Sequence, residues 1–452
     1  MLFQPEIERM PLAQLRELQN TRLKRQVEYV YHRVPFYKAK FDALGIHPST
    51  FQGLTDLTRL GFTRKTDFRD NYPFGLFAVP QPEVARLHCS SGTTGKATVV
   101  GYTAQDLNIF AEVVARSLAA AGCRPGMKLQ NAYGYGLFTG GLGIHYGAEK
   151  LGLTVIPVSG GGTDRQLQLL QDFRPEIICA TPSYAQVLAE EIQRRGIAPE
   201  ALNLQYAALG AEPWTETIRQ QVESGLRVQA TNIYGLSEIM GPGVSQEDVN
   251  ERGTGSYVWE DHFLPEIVDK DTGEPVAEGE LGVLVFTTLT KQAMPILRYW
   301  TNDITNLYYG ESRSRTHVKM GPIRGRADDM LIIRGVNFFP TQVEDILRGL
   351  DHVSPYYQVV ASRRGSLDEV EVSVEISEEL MRGLELAAVT EAAVAQHECL
   401  RTLRGTLAKK IKDNIGLSMH VQLLGFGQLP RSEGGKLSRV RDLRDLNQAH
   451  RA

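Results

Sequence analysis

From about residue 85 to residue 300, short apolar runs alternate with stretches of helical periodicity. This alternation constrains the fold more than any other feature of the sequence. The runs include LTVIPV (153–158), EIICATPS (176–183) and VLVFTTL (283–289), with glycine-rich punctuation between them. A chain that repeats strand, helix and strand pairs its strands in parallel and covers the sheet with the helices. The expectation is an α/β fold with largely parallel, helix-covered sheets. Ahead of this region Leu12, Leu15, Leu23, Val27, Val30 and Val34 recur mostly three or four residues apart. That spacing predicts an amphipathic helix stopped at Val34-Pro35.

The last quarter reads differently. Residues 331–333 (LII) form a short strand pattern, and a helix pattern follows Pro340 with Val343, Ile346 and Leu347 on one face. Val370, Val372, Val374 and Ile376 alternate with polar residues as in a half-buried strand. A helical stretch with Lys409, Lys410 and Lys412 comes next, then a strand near residues 421–424. This order predicts a small α+β domain. The boundary is placed at residues 326–328, giving a large domain over 1–327 and a small one over 328–452.

Composition sets outer limits. The chain has 452 residues, 42% of them hydrophobic and 23% charged, enough to bury several cores without disulfide or metal staples. A net charge of −4 argues against a general nucleic-acid or anionic-membrane binder. Cys89, Cys123, Cys179 and Cys399 are scattered, without CxxC spacing, as expected of reduced thiols in a cytosolic protein. The opening MLFQPEIERM lacks the pattern of a signal peptide, and no run of about 18 apolar residues predicts a membrane span. A cytoplasmic protein is the expectation.

Five segments carry chemistry. In Ser90-Ser91-Gly92-Thr93-Thr94-Gly95-Lys96, two glycines let the backbone bend around an anion while hydroxyls and a lysine donate to it. The spacing is not that of a Walker A loop; a phosphate-binding loop is the favoured reading, with a Ser/Thr/Gly surface turn as the alternative. Tyr234-Gly235-Leu236-Ser237-Glu238 offers a ring that can stack a purine and a carboxylate that can hold Mg²⁺ near phosphates. Tyr299-Trp300-Thr301-Asn302-Asp303 ends in a carboxylate suited to accept from two ribose hydroxyls. Gly325-Arg326-Ala327-Asp328-Asp329 is a charged turn at the expected boundary, and Gly434-Gly435-Lys436 puts a lysine on a glycine loop.

The order of these segments resembles that of the adenylate-forming superfamily of acyl-CoA synthetases, adenylation domains and luciferases. Within it, AYGYGLFTGGLGIHYGAEKLG (132–152), GAEPWTE (210–216), YGLSEIMGPGV (234–244), WEDHFLPEIV (259–268), DDMLIIRGVNFFP (328–340) and PRSEGGK (430–436) resemble the phenylacetate–CoA ligases. The resemblance covers nearly the whole chain. It implies a large ATP- and acid-binding domain and a small mobile C-terminal domain. It also implies a two-step reaction. A carboxylate attacks the α-phosphorus of ATP to give an acyl-adenylate and pyrophosphate. The thiol of coenzyme A then displaces AMP.

By the same resemblance, residues 90–96 hold the β- and γ-phosphates, Tyr234 and Gly235 meet adenine, and Glu238 holds Mg²⁺. Asp303 takes the ribose, with Arg326 nearby, and Lys436 bridges the carboxylate and the α-phosphate. Asp328 is the hinge, and Gly335 lies where the pantetheine arm enters. Tyr135, Phe138, Gly140, Gly141, Ala211, Glu212 and Pro242 are the candidates for an apolar acid pocket. The partners implied are an aryl acid, ATP and coenzyme A, with a carrier protein as the alternative acceptor and a homodimer as the family expectation. Neither nucleic acid nor membrane is expected.

Some positions depart from the family pattern. Ala97 replaces a proline, Trp300 an arginine, and Asn302 a glycine or arginine; losing a cation there predicts weaker ATP binding or altered domain closure. These departures suggest a specialised relative, with anthranilate or another benzoate as the second choice of acid and an inactive scaffold as the reading from another class. Trp259-Glu260-Asp261-His262 mimics a catalytic triad, but neighbours on a strand point to opposite faces. Asp271-Thr272-Gly273 reads as a turn between strands.

Overall fold

The computed structural model describes residues 1–90, 98–310, 314–327, 331–333, 336–338, 340–347, 350–364, 367–431 and 439–444. These residues divide into two compact units. One comprises Met1–Glu212 and Gln221–Ile323; the other comprises Pro213–Gln220, Arg324–Ser432 and the C-terminal strand.

The first unit is built on a nine-stranded sheet. Five neighbours in it are parallel, in the spatial order Gln229–Leu236, Tyr206–Gly210, Ile177–Ala180, Lys128–Asn131, Thr154–Ile156. The helices Thr139–Leu151, Thr163–Phe173, Pro182–Arg194 and Glu216–Leu226 make the crossovers that parallel pairing requires. Beyond Gln229–Leu236 the sheet turns antiparallel through Gly241–Glu247 and Ser256–Val258, because only short loops join these strands.

The run VLVFTTL does not join this sheet. It forms Gly282–Thr288, the middle strand of an antiparallel set with Phe263–Val268 and Tyr299–Thr305. No helix separates these three strands in sequence, so they fold back on one another instead of crossing over. Asp271-Thr272-Gly273 is the turn that joins the first two. Asp269 Oδ1 accepts from the amides of Asp271 and Thr272 at 3.0 and 2.8 Å, and Gly273 takes a φ of +74°.

Helix Ala104–Ala120 starts at a capping box between Thr103 and Asp106 and lies buried in the main core. It packs closely on Thr139–Leu151. A Cβ on Gly143 would come within 2.4 Å of Phe110 and one on Gly147 within 2.3 Å of Val114, so glycines four residues apart set this approach. The N-terminal helix spans Leu12–Arg33 and buries Leu15, Leu23, Val27 and Val30. Pro35 then opens a second helix, Pro35–Ala43, at the position where a missing amide costs nothing.

The second unit has its own core. Its sheet runs in the order His420–Leu424, Leu367–Ile376, Val353–Arg364, Val440–Asp442, with parallel outer pairs and an antiparallel centre. Val370, Val372, Val374 and Ile376 supply one face of it, and Leu400, Leu407 and Ile411 of helix Glu398–Ile415 cover that face. Helix Thr341–Leu347 follows Pro340.

Candidate active site

The topology of the parallel strands places the site before any side chain does. Lys128–Asn131 lies between Thr154–Ile156 and Ile177–Ala180: the chain passes from it to Thr154–Ile156 on one side and then crosses back to Ile177–Ala180 on the other, so successive connections run in opposite directions. A crevice opens outside the carboxyl ends of strands at such a switch. Residues 132–142 follow Asn131, Ala211 and Glu212 follow Tyr206–Gly210, and Tyr234 and Gly235 close Gln229–Leu236, with Glu238 just beyond. The acid and adenine candidates therefore gather at one edge of one sheet.

On the nucleotide side, two motifs far apart in sequence meet. The Tyr234 hydroxyl donates to Asp303 Oδ2 at 2.5 Å, and the Tyr234 ring tilts against Phe286 with centroids 6.3 Å apart. The Tyr299 hydroxyl donates to Glu238 Oε1 at 3.2 Å. Thr301 Oγ1 donates to the Leu284 carbonyl at 2.8 Å and accepts from the Asp303 amide at 3.0 Å, which fixes the backbone that carries the ribose candidate. Gly235 admits no side chain, since a Cβ there would lie 1.7 Å from the Gly241 carbonyl oxygen. Arg326 ends the two-residue strand Gly325–Arg326 and is half-buried in the second unit.

The departures at 300 and 302 have a local physical basis. Asn302 has a φ of +68°, in the left-handed region that glycine and asparagine enter most readily. Its Oδ1 accepts from the Trp300 indole N–H at 2.8 Å. The indole is 7% exposed, packs edge-on to Phe62 at 4.9 Å and lies under the Arg64 guanidinium at 4.3 Å.

On the acid side, Asn131 Nδ2 donates to Tyr135 Oη and to the Gly141 carbonyl, both at 2.8 Å. Tyr135 Oη also meets His145 Nδ1 at 3.1 Å, and His145 Nε2 lies 3.1 Å from Glu149. Burial, offset in part by the Asn131 bond, pushes the Tyr135 phenol up to about 12. Gly141 sits against the Gly134 backbone, where a Cβ would come within 2.4 Å of a carbonyl oxygen; Gly140 has room for one. Phe138 stands at the start of helix Thr139–Leu151, about half exposed at 53%. Ala211 takes a φ of +74°, a strained position for a residue with a Cβ. Glu212 Oε1 accepts from the Ser183 amide at 2.7 Å, so one of its oxygens caps helix Pro182–Arg194. Pro242 lies on the strand paired with Gly235, close to Gly143.

Sequence reasoning missed Lys291. Its Nζ lies 4.7 Å above the Tyr102 ring and 3.4 Å from the Glu238 carbonyl oxygen. The side chain is buried at 1% exposure, and burial lowers its pKa to about 8 against the pull of Asp106 and Glu238. Asp106 accepts from the amides of Gln292 and Ala293 at 2.7 and 2.8 Å, which fastens the lysine-bearing segment to helix Ala104–Ala120. The available signal was a single charge inside TLTKQAMP.

Ser91, Gly92, Thr93, Thr94, Gly95, Lys96, Asp328, Gly335 and Lys436 lie outside the described residues, as does the Ser90 side chain. The backbone of Ser90 pairs with Thr98 at the end of an antiparallel hairpin. Among the described residues no group of three or more His, Cys, Asp or Glu could hold a metal ion. The segment Trp259-Glu260-Asp261-His262 is a turn, not a strand, and Asp261 does reach His262 Nε2 at 3.2 Å. What removes it from catalysis is Arg116, which takes both Asp261 oxygens at 2.7 and 3.2 Å in a buried pair.

Two family models match the chain. "AMP-binding enzyme" covers residues 14–291, and "AMP-binding enzyme C-terminal domain" covers residues 335–444. The phenylacetate-coenzyme A ligase of Thermus thermophilus is 64% identical over 445 residues, 98% of this chain and 100% of that protein. The chain belongs to the phenylacetate–CoA ligase family. Its relative from Escherichia coli K12, also a phenylacetate-coenzyme A ligase, is 49% identical over 97% of both chains. Among solved structures, 2-hydroxyisobutyryl-CoA ligase in the postadenylation state aligns with a TM-score of 0.88 at 26% identity, over 99% of this chain and 93% of that one. The two-unit α/β architecture is thus that of the adenylate-forming enzymes, and this family member is an AMP-forming acid–thiol ligase.

Proposed function

We infer that this ligase activates an aryl carboxylate of the phenylacetate type with ATP and passes the acyl group to coenzyme A, releasing AMP and pyrophosphate. The observation that carries this reading is the Tyr234–Asp303 bond. It brings the segments we assign to adenine and ribose together, beside the switch point where the acid candidates gather.

A carboxylate is a poor electrophile, because its charge repels a nucleophile and oxide is a hopeless leaving group. Adenylation replaces oxide with AMP. In that step the carboxylate and the α-phosphate, both anionic, must approach one another. We assign Lys436 to bridge them, and residues 90–96 to the β- and γ-phosphates, where fixed donors act most strongly when water is excluded. Tyr234 and Gly235 receive adenine. We assign Asp303 to accept from the ribose hydroxyls and Arg326 to the same nucleotide.

Glu238 fits a magnesium ligand. Mg²⁺ on a nucleotide typically takes one or two carboxylates and completes its shell with phosphates and water. Bound there, it would neutralise charge on the phosphates. Glu238, steadied by the hydrogen bond from the Tyr299 hydroxyl, would hold it.

The acid pocket is assigned to Tyr135, Phe138, Gly140, Gly141, Ala211, Glu212 and Pro242. Gly141 lets the chain pack against the Gly134 backbone, and Gly140, where a Cβ would have room, leaves space beside it for a flat ring. The small domain over 328–452, with its hinge at Asp328, reorients between the half-reactions, and Gly335 admits the pantetheine arm. The family matches end at residue 291 and resume at residue 335, which supports a boundary in between. The described helices include none long and apolar enough to cross a membrane, and all four cysteines are unpaired. We assign the protein to the cytoplasm, where ATP and coenzyme A are held. Homodimerisation follows from family likeness.

The test is to incubate the protein with ATP, Mg²⁺, coenzyme A and a panel of phenylacetate, benzoate and anthranilate, and to identify products by mass. Phenylacetyl-CoA with AMP is expected. An adenylate that accumulates without thioester would move the acceptor to a carrier protein. Thioester from benzoate or anthranilate alone would change the acid, and no product with any acid would favour an inactive scaffold.

A further inference from the structure

In sequence, Lys436 lies between two arginines, Arg431 and Arg439, each tied to the second unit. Four residues separate Arg431 from Lys436 and two separate Lys436 from Arg439, and Gly434 and Gly435 lie between the anchors. A lysine on such a segment is placed only as well as the segment's ends are held.

The first end is held by a buried carboxylate. Glu375, at the end of strand Leu367–Ile376, is fully buried. Its Oε1 accepts from the Leu429 amide and from Arg431 Nη1 at 2.9 Å. Its Oε2 accepts from Arg431 Nη2 at 2.7 Å and from the Gly427 amide at 3.1 Å. Ser354 Oγ lies 3.4 Å from the same oxygen. The Arg431 guanidinium is stacked 3.4 Å from the Tyr356 ring centroid and donates back to the Leu429 carbonyl at 3.2 Å. This is a bidentate, charge-assisted clamp whose acceptor sites are filled by the stem of the lysine segment itself.

The second end is held alike. Arg439 donates to Glu344 and lies 5.1 Å from the centroid of the Tyr357 ring. The Arg439 carbonyl accepts from the Val359 amide at 2.8 Å. Tyr356 and Tyr357 are neighbours on one strand, whose side chains alternate between faces.

We propose that Glu375, through its clamp on Arg431, is a positioning residue for Lys436 in adenylation. The proposal rests on the assignment of Lys436 to that half-reaction. A lysine that must bridge two anions is sensitive to placement, since an error of about 1 Å can cost on the order of 100-fold. Thioester formation, which the proposal assigns to other groups, should not feel the clamp.

The experiment compares Glu375→Gln, Arg431→Leu and Lys436→Ala in two separate assays. One is pyrophosphate release from ATP and phenylacetate; the other is thioester formation from supplied phenylacetyl-adenylate and coenzyme A. Glu375→Gln keeps the shape of the side chain, and Arg431→Leu reaches the clamp from its more exposed partner. For both, pyrophosphate release is expected to fall about tenfold or more, with thioester formation within about threefold of the unaltered enzyme and KM for ATP little changed. Combining Glu375→Gln with Lys436→Ala is expected to add nothing to Lys436→Ala alone, because one acts through the other.

Equal loss in both assays, or full additivity in the double variant, would make Glu375 a general support of the fold and overturn the proposal. Normal pyrophosphate release by both clamp variants, with Lys436→Ala slow, would overturn it while leaving Lys436 in place. Normal release by Lys436→Ala would remove the lysine assignment and this proposal with it.

Discussion

Two regions of the large unit gather charge and treat it in opposite ways. Near the N-terminus, Arg315 donates to Glu8 at 2.7 Å, to Asp248, and to the Met1 carbonyl at 3.0 Å, and all three side chains are buried. Next to it Arg116 closes both oxygens of Asp261 and reaches Gln4 at 3.1 Å, while Trp259 lies within cation–π range of both arginines. At the carboxyl ends of the strands, Glu238 meets a phenol at 3.2 Å and a half-solvated surrounding instead. No described cation makes an ion pair with its carboxylate. A carboxylate has about four acceptor positions, and one phenol fills one of them. The saturated cluster can only hold the fold together. The unsaturated carboxylate keeps capacity for a substrate or its metal.

That contrast is broken most directly by removing a charge from each side. Arg315→Met leaves Glu8 and Asp248 buried without their cation, and the expected cost is about 3–5 kcal/mol of stability. Thermal or urea unfolding would read it, and kcat of the fraction that remains folded should be unchanged. A loss of activity without a loss of stability would mean that this cluster serves the site. Glu238→Gln should behave in the opposite sense. Pyrophosphate release should fall about 100-fold, close to 2.7 kcal/mol, with a raised Mg²⁺ requirement and a melting point within about 2 °C. An unchanged Mg²⁺ titration would take Glu238 out of the metal site.

The same contrast explains what could be read from the sequence. Glu238, Tyr234 and Asp303 stand in compact motifs, and the structure brings the last two within 2.5 Å across 69 residues. The parallel strands were legible because their apolar runs are separated by helical spacing. The antiparallel set was not, since VLVFTTL has the same composition as a parallel core strand and differs only in what connects it. The ion pairs were illegible for another reason. Glu8 and Arg315 lie 307 residues apart, and each looks like an ordinary surface charge until the fold buries both. Lys291 was hidden likewise: the sequence shows a lysine, and only the packing of Tyr102 and Asp106 shows that it is buried.

His317 lies against the saturated cluster and gives it a pH dependence. Its Nδ1 accepts from the Glu260 amide at 3.0 Å, and Nε2 faces the Ile7 carbonyl at 3.3 Å, an arrangement that needs the neutral ring. Burial lowers its pKa from 6.5 to about 4. Between those values the unfolded chain binds more protons than the folded one. Stability therefore falls as pH drops from about 6.5 to about 4, by roughly 3 kcal/mol, and this contribution is flat below. Melting points recorded across that range should slope for the unaltered protein. His317→Asn keeps an acceptor near the Nδ1 position and should flatten the slope; an unchanged slope would assign the acid sensitivity to other groups.

Tyr299 separates holding a carboxylate from being one. Tyr299→Phe removes only the hydroxyl that donates to Glu238, and the ring keeps its edge-on contact with Phe68 at 5.5 Å. One hydrogen bond to a charged group in a half-exposed place is worth about 1 kcal/mol, or roughly fivefold in rate. Pyrophosphate release should slow by about that factor, and the melting point should hardly move. If the phenol acts only by orienting Glu238, Tyr299→Phe combined with Glu238→Gln should be no slower than Glu238→Gln alone. A further fivefold loss in the double variant would mean that Tyr299 meets the nucleotide directly, and the site would then carry a second donor beside the carboxylate.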